Sequence, residues 1–212
     1  MPHDHPDHDH DHATPPRPDN DTPLTWHQTL EIAVRELMIA KGVTTPAAIA
    51  AQIDAMDARS PANGAAVVAR FWTDADFARD LLADASAATR AMGFDIGPMR
   101  LIALPNTDSL HNVVVCTLCS CYPRNLLGLP PDWYKTRAYR ARTVREPRRV
   151  LAEFGLTLPD ATEVRVHDST ADMRYIVLPN RPAGTDGWDA GRLAALVTRD
   201  SMIGTGLPKQ PG

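Results

Sequence analysis

The chain has 212 residues, a formal charge of −4 and three cysteines. That length can bury one core, and its interspersed charges leave no basic stripe of the kind a nucleic-acid groove needs, so nucleic acid is excluded as a partner. No apolar run approaches the roughly 20 residues of a membrane span, the acidic, His-rich start is not read as a secretory signal, and three crowded cysteines make no disulfide framework, so a reducing cytoplasm is the expected compartment.

Residues 1–23 read as a disordered tail. His3, His5, His8, His10 and His12 alternate with Asp4, Asp7, Asp9 and Asp11, and a Pro-rich stretch follows, with no apolar residues to offset ordering entropy. Such a tail is either a loose site for divalent metals or simply solvated. Helix signals fill residues 24–96. Thr25 and Gln28 form a capping-box pattern ahead of Leu30, Val34 and Leu37, with Gly42 placed to end the helix. Thr45-Pro46 opens a second helix bearing Ile49, Ile53 and Met56. A third is predicted from about Gly64 to Phe71. A fourth starts at Thr73, with Asp74 and Asp76 in its first turn and Phe77, Leu81 and Leu82 following, and runs to Gly93.

Beyond residue 97 the pattern becomes mixed. Leu101–Leu104 and Val113–Val115 read as short buried strands. Pro123, Pro130 and Pro131 are expected to break regular structure. Pro147 opens a helix with Val150, Leu151 and Phe154 facing inward, ended by Gly155. Glu163–Val166 and Arg174–Val177 are strands, and Leu193, Leu196 and Val197 suggest a last short helix. The expected fold class is α+β: a helical N-terminal arm followed by a compact layered α/β domain over 97–212, carrying a metal-claw loop.

All three cysteines fall in one run, Cys116-Thr-Leu-Cys119-Ser-Cys121. The C-x-x-C spacing lets a turn bring two sulfurs together, and Cys121 adds a third. Three sulfurs so close require the peptide to wrap the ion, which lays the backbone nitrogens of Ser120 and Cys121 beside it. A trivalent ion deprotonating those amides would have five donors and one open position, the arrangement of a catalytic rather than a structural site. Two alternatives stand at this point: a structural zinc site that takes His111 or His167 as fourth ligand, and redox or inert thiols. Trp133, Tyr134 and Trp188 read as core or interface, and Arg140, Arg142 and Arg145 as a basic cluster engaged in ion pairs.

The run with its flanks, Val113-Val-Val-Cys-Thr-Leu-Cys-Ser-Cys-Tyr-Pro123 followed by Gly128-Leu-Pro-Pro-Asp-Trp-Tyr-Lys135, resembles the α subunit of nitrile hydratases. The likeness continues through Tyr139-Arg-Ala-Arg142, Arg174-Tyr-Ile-Val-Leu-Pro179 and Val197-Thr-Arg-Asp200, over about residues 100–206. The γ subunit of thiocyanate hydrolase shares the pattern. The resemblance implies a cobalt(III) or iron(III) centre ligated by the sulfurs of Cys116, Cys119 and Cys121 and the amide nitrogens of Ser120 and Cys121. It implies that Cys119 is a sulfinate and Cys121 a sulfenate, and Thr117 looks like the cobalt-type mark. The implied reaction is hydration of a nitrile to an amide, with water or the Cys121 sulfenate oxygen attacking the nitrile carbon. The implied partners are a β-type subunit that supplies arginines to the oxidised sulfurs and a metallochaperone or activator.

Two positions depart from the pattern. Nitrile hydratases usually read Tyr-Pro-Trp-Pro after the cysteines, whereas this chain reads Tyr122-Pro-Arg-Asn125. Arg124 resembles thiocyanate hydrolase and is either a pocket residue for something polar or a subunit contact. A glutamine often found nineteen residues before the first cysteine is replaced by Gly97. Three-subunit members, such as toyocamycin nitrile hydratase, would reconcile a short α chain with an unusual pocket.

Overall fold

The computed structural model describes residues 23–212, so the expected tail lies almost wholly outside the described residues. Contacts group the chain into two compact units, one ending at Ile49 and the other spanning Ala50–Gly212. The first holds α1 (Trp26–Ala40) and the start of α2 (Pro46–Asp57). The Thr25 capping box forms as the sequence predicts, with both reciprocal hydrogen bonds present. Leu30, Val34 and Leu37 are 44–55% exposed, so the apolar stripe of α1 faces outward.

The second unit begins its core with α3 (Pro61–Thr73), α4 (Ala75–Ala83) and α5 (Ala85–Ala91). α3 starts before the expected Gly64 because Ser60 caps it and Pro61 takes the first helical position, where the missing N–H costs nothing. The long fourth helix predicted to Gly93 is two helices. Asp74 caps the first rather than lying in its first turn, and Asp84 ends it and caps the second by accepting from Ala87 N–H at 3.0 Å.

Four strands follow: β1 (Arg100–Pro105), β2 (Leu110–Val115), β3 (Glu163–Asp168) and β4 (Met173–Leu178). β1 pairs with β4 and β2 with β3, both parallel. Parallel pairing needs long crossovers. The one between β2 and β3 carries α6 (Arg124–Leu127), α7 (Asp132–Lys135), α8 (Arg137–Thr143) and α9 (Pro147–Glu153). Pro123, Pro130 and Pro131 lie outside every helix and strand, as expected, and short helices start directly after two of them: Pro123 and Pro131 are the N-caps of α6 and α7. Phe154 does not turn fully inward. It caps α9 at 38% exposure and meets the edge of Trp133, ring centroids 4.6 Å apart. α10 (Ala190–Ala194) ends before Leu196 and Val197, and α11 (Arg199–Ile203) was not anticipated.

Helices and strands share one core that includes Val67, Leu81, Val115, Leu127, Tyr134, Ile176 and Met202. Gly64 permits its closest approach. A Cβ there would lie 2.2 Å from Leu127 Cδ2 and 2.7 Å from Met202 Sδ, so only glycine lets α3 sit against α6 and α11. Among the described residues no helix is long and apolar enough to cross a membrane.

Candidate metal centre

β2 is buried along its last five residues and ends by delivering Cys116, which has no exposed surface. The chain then turns outward. Thr117, Leu118 and Cys119 are exposed, and Ser120 and Cys121 are half-buried. This turn brings the three predicted sulfurs together: Cys119 Sγ lies 3.5 Å from Cys116 Sγ and 3.2 Å from Cys121 Sγ. All three fall within 4.8 Å of one another. Sulfurs held at about 2.3 Å on adjacent corners of an octahedron sit about 3.3 Å apart, against about 3.8 Å for a tetrahedron. The Cys119–Cys121 separation matches the octahedral value, and the Cys116–Cys119 separation lies between the two.

The amides also fit. Neither Ser120 N–H nor Cys121 N–H makes a main-chain hydrogen bond among the described residues. Both bear on the Cys119 thiol. Backbone donors are nearly always paired in folded chains, and two adjacent ones whose partner is a thiol rather than a carbonyl are placed where a wrapped ion would find its nitrogens. The thiols are unequal. Cys119 is lowered to about 7, first by the hydrogen bond from Cys121 and then by the Ser120 amide. Cys121 is pushed up to about 12, first by burial and then by sharing its proton with Cys119, while the nearby Arg174 charge pulls it down.

Three side chains that the sequence did not assign to the claw grip the loop. Asp168, placed at the end of β3 by the Val115↔Asp168 register, accepts from Thr117 N–H at 2.9 Å and from Thr117 Oγ1 at 2.5 Å. Arg140 on α8 donates from Nε to Cys116 O at 3.0 Å and from Nη2 to Thr117 O at 2.8 Å. Tyr134, fully buried on α7, donates to Cys121 O at 2.9 Å. The adjacent Tyr139 holds the strand itself, donating to Val114 O at 2.7 Å. Of the basic cluster, Arg142 alone forms ion pairs among the described residues, to Glu146 and Glu153.

Neither histidine considered as a zinc ligand joins the cysteines. His111 is buried, with Nε2 2.7 Å from Gly204 O and Nδ1 3.3 Å from Asn106 Nδ2. His167 Nε2 lies 2.8 Å from Asn112 Oδ1. Arg124 is exposed at the first position of α6, three residues beyond Cys121.

Comparison with known proteins agrees with this geometry. The family profile "Nitrile hydratase, alpha chain" matches residues 25–206. The chain is 49% identical over 183 residues to the low-molecular weight cobalt-containing nitrile hydratase subunit alpha of Rhodococcus rhodochrous, covering 84% of this chain and 87% of that one. It is 43% identical over 199 residues to the thiocyanate hydrolase subunit gamma of Thiobacillus thioparus, covering 87% and 81%. The structure of a double mutant of the Fe-type nitrile hydratase from Comamonas testosteroni Ni1 superposes with a TM-score of 0.82 at 41% identity, covering 90% of this chain and 94% of that one. A three-sulfur loop at a strand end, two amides turned to its sulfur and a match over most of the length lead to one assignment: the chain belongs to the nitrile hydratase alpha chain family.

Proposed function

We propose that the chain is the metal-bearing subunit of a cobalt-type nitrile hydratase and adds water across a nitrile to give the amide. The observation that carries this reading is the convergence of three sulfurs within 4.8 Å of one another, beside two amides that have no main-chain partner among the described residues. Cys116, Cys119 and Cys121 would hold the ion through sulfur, and Ser120 and Cys121 through nitrogen. Bound there, a trivalent cobalt would supply a Lewis acid with one open position that polarises the C≡N group. Cobalt is favoured over iron by Thr117 and by the cobalt-containing relative, while the Fe-type neighbour makes iron the alternative.

The chain's own residues prepare the reaction. Oxidised to the sulfinate, Cys119 carries a fixed negative charge; oxidised to the sulfenate, Cys121 offers an oxygen to the nitrile carbon or to the proton of an attacking water. By either route one water is consumed: its oxygen ends on carbon directly, or on sulfur in place of the oxygen that Cys121 gives up as its S–O bond breaks, and its two protons end on nitrogen to give the amide. Arg174 supplies one positive charge toward Cys121 from within this chain, and a β-type partner would supply the others, so the isolated subunit should be inactive. A metallochaperone or activator would load the ion in a reducing cytoplasm before the sulfurs are oxidised.

The test is the assembled complex: metal content, mass spectrometry of the cysteine peptide, and turnover of a nitrile. Cobalt, two oxygens on Cys119, one on Cys121 and amide formation are expected. Stoichiometric zinc with unmodified thiols would overturn the reading. One observation favours a second reading, a thiocyanate hydrolase γ-type subunit converting thiocyanate to carbonyl sulfide and ammonia. Arg124 places an exposed cation three residues beyond Cys121, suited to a small anion. Carbonyl sulfide release without nitrile turnover would select it.

A further inference from the structure

A narrow cleft begins at Pro123, just past the claw along the chain. Ile96, Met99, Leu101, Pro123 and Leu126 form its walls, together with Asn125 and the stem of Arg174. Pro123 is two residues beyond Cys121, and the Arg174 charge reaches Cys121. The free volume is about 10 Å³, room for no more than about one water.

Asn125 closes one side. Its Oδ1 accepts from Arg59 Nη1 at 3.3 Å. Its Nδ2 lies only 2.6 Å from where a Cβ at position 97 would stand, so the amide occupies space that any side chain at 97 would claim. Gly97 itself is pinned at φ +71°, its N–H donating to Asp95 Oδ1 at 2.8 Å and its carbonyl accepting from Arg90 Nη2 at 2.8 Å. The amide is therefore wedged against a pinned glycine on one side and hydrogen-bonded to Arg59 on the other. Swinging it away would break the Arg59 hydrogen bond.

Resting on the function proposed above, we infer that Asn125 is a size gate for the substrate: wedged against Gly97, it keeps the apolar cleft just past the claw too small for a branched substituent. The pair works because glycine at 97 frees the volume that Asn125 fills. Cutting Asn125 back to alanine removes three heavy atoms and leaves space for roughly one further methylene or two, a difference that shifts selectivity about 10-fold or more in an apolar pocket.

The experiment uses the metal-loaded complex with its partner subunits and compares kcat/KM for propionitrile and isobutyronitrile in wild type, Asn125→Ala and Asn125→Asp. The branched-to-linear ratio should rise about 10-fold in Asn125→Ala. It should stay at the wild-type value in Asn125→Asp, which keeps the volume and the acceptor for Arg59. An unchanged ratio in an active Asn125→Ala complex overturns the gate. Crystals of both complexes under xenon give a readout independent of turnover: xenon should enter the cleft in Asn125→Ala and not in wild type, and an empty cleft in the variant overturns the gate. Xenon entry confined to the variant, in complexes that hydrate no nitrile, would refute the function while upholding the gate.

Discussion

Replacing Arg140 asks whether the claw is held in shape from outside its own six residues. The guanidinium makes two hydrogen bonds to consecutive carbonyls, Cys116 O at 3.0 Å and Thr117 O at 2.8 Å. A hydrogen bond to a charged group contributes about 1.5–3 kcal/mol in a dry setting. Arg140 is half-buried, so water recovers part of that and Arg140→Ala should cost the closed claw about 2 kcal/mol in all. If only the closed claw binds an ion, that is about a 30-fold loss of metal affinity. Arg140→Lys retains a point charge without the two-pronged fork, so it should keep one carbonyl and lose about 5-fold. The assay is competitive titration of cobalt(II) against a chelator, run beside thermal unfolding of the same variants. Arg140 does not belong to the buried core, so the melting temperature should move little while affinity drops. Wild-type affinity in both variants would refute the argument. A melting temperature that falls in proportion to affinity would also refute it, because Arg140 would then support the fold generally.

Asp168→Asn should weaken metal binding modestly, by about 1 kcal/mol, because one oxygen still accepts from Thr117 N–H, whereas Asp168→Ala should cost about 2 kcal/mol. The same titration checks the order, and equal effects would contradict it. Tyr134→Phe leaves the Cys121 carbonyl without its buried donor and should destabilise the subunit by about 1–2 kcal/mol in thermal or urea unfolding, with slower turnover in the complex. In the metal-free, reduced chain, iodoacetamide should modify Cys119 first, since it is exposed with a thiol lowered to about 7, while Cys116 is buried and Cys121 is raised to about 12. The reactive thiolate is present above about pH 7 and is lost below it. The rate should therefore fall about 10-fold per unit as pH drops below 7, read by peptide mass spectrometry.

The parts of this protein that were legible in the sequence are those whose partners lie a few residues apart. Cys116, Cys119 and Cys121 announce themselves by spacing, and the fold delivers them within 4.8 Å of one another. Thr25 and Gln28 cap each other across three residues. What the sequence hid was set by distance along the chain. Asp168 reaches Thr117 across 51 residues and Arg140 reaches Cys116 across 24, both because parallel pairing of β2 with β3 folds the crossover back over the strand end. Neither residue differs in type from the surface acids and arginines around it. Asp84 was hidden for a subtler reason: an aspartate within helical spacing reads as a solvated face until its side chain is seen capping a new helix. The prolines were legible as breaks but not as starts. They stop a preceding helix, yet their fixed φ suits the threshold of the next one, and α6 and α7 begin there.

Every anchor on the claw takes hold of main chain or of Thr117, never of a sulfur: Arg140 at two carbonyls, Tyr134 at a third, Asp168 at an amide and the neighbouring hydroxyl. A scaffold clamped this way is indifferent to what is written on its thiols. Oxygen atoms can be added to Cys119 and Cys121 after folding without loosening any of those tethers. The chain can therefore be finished in two stages, shape first and chemistry second.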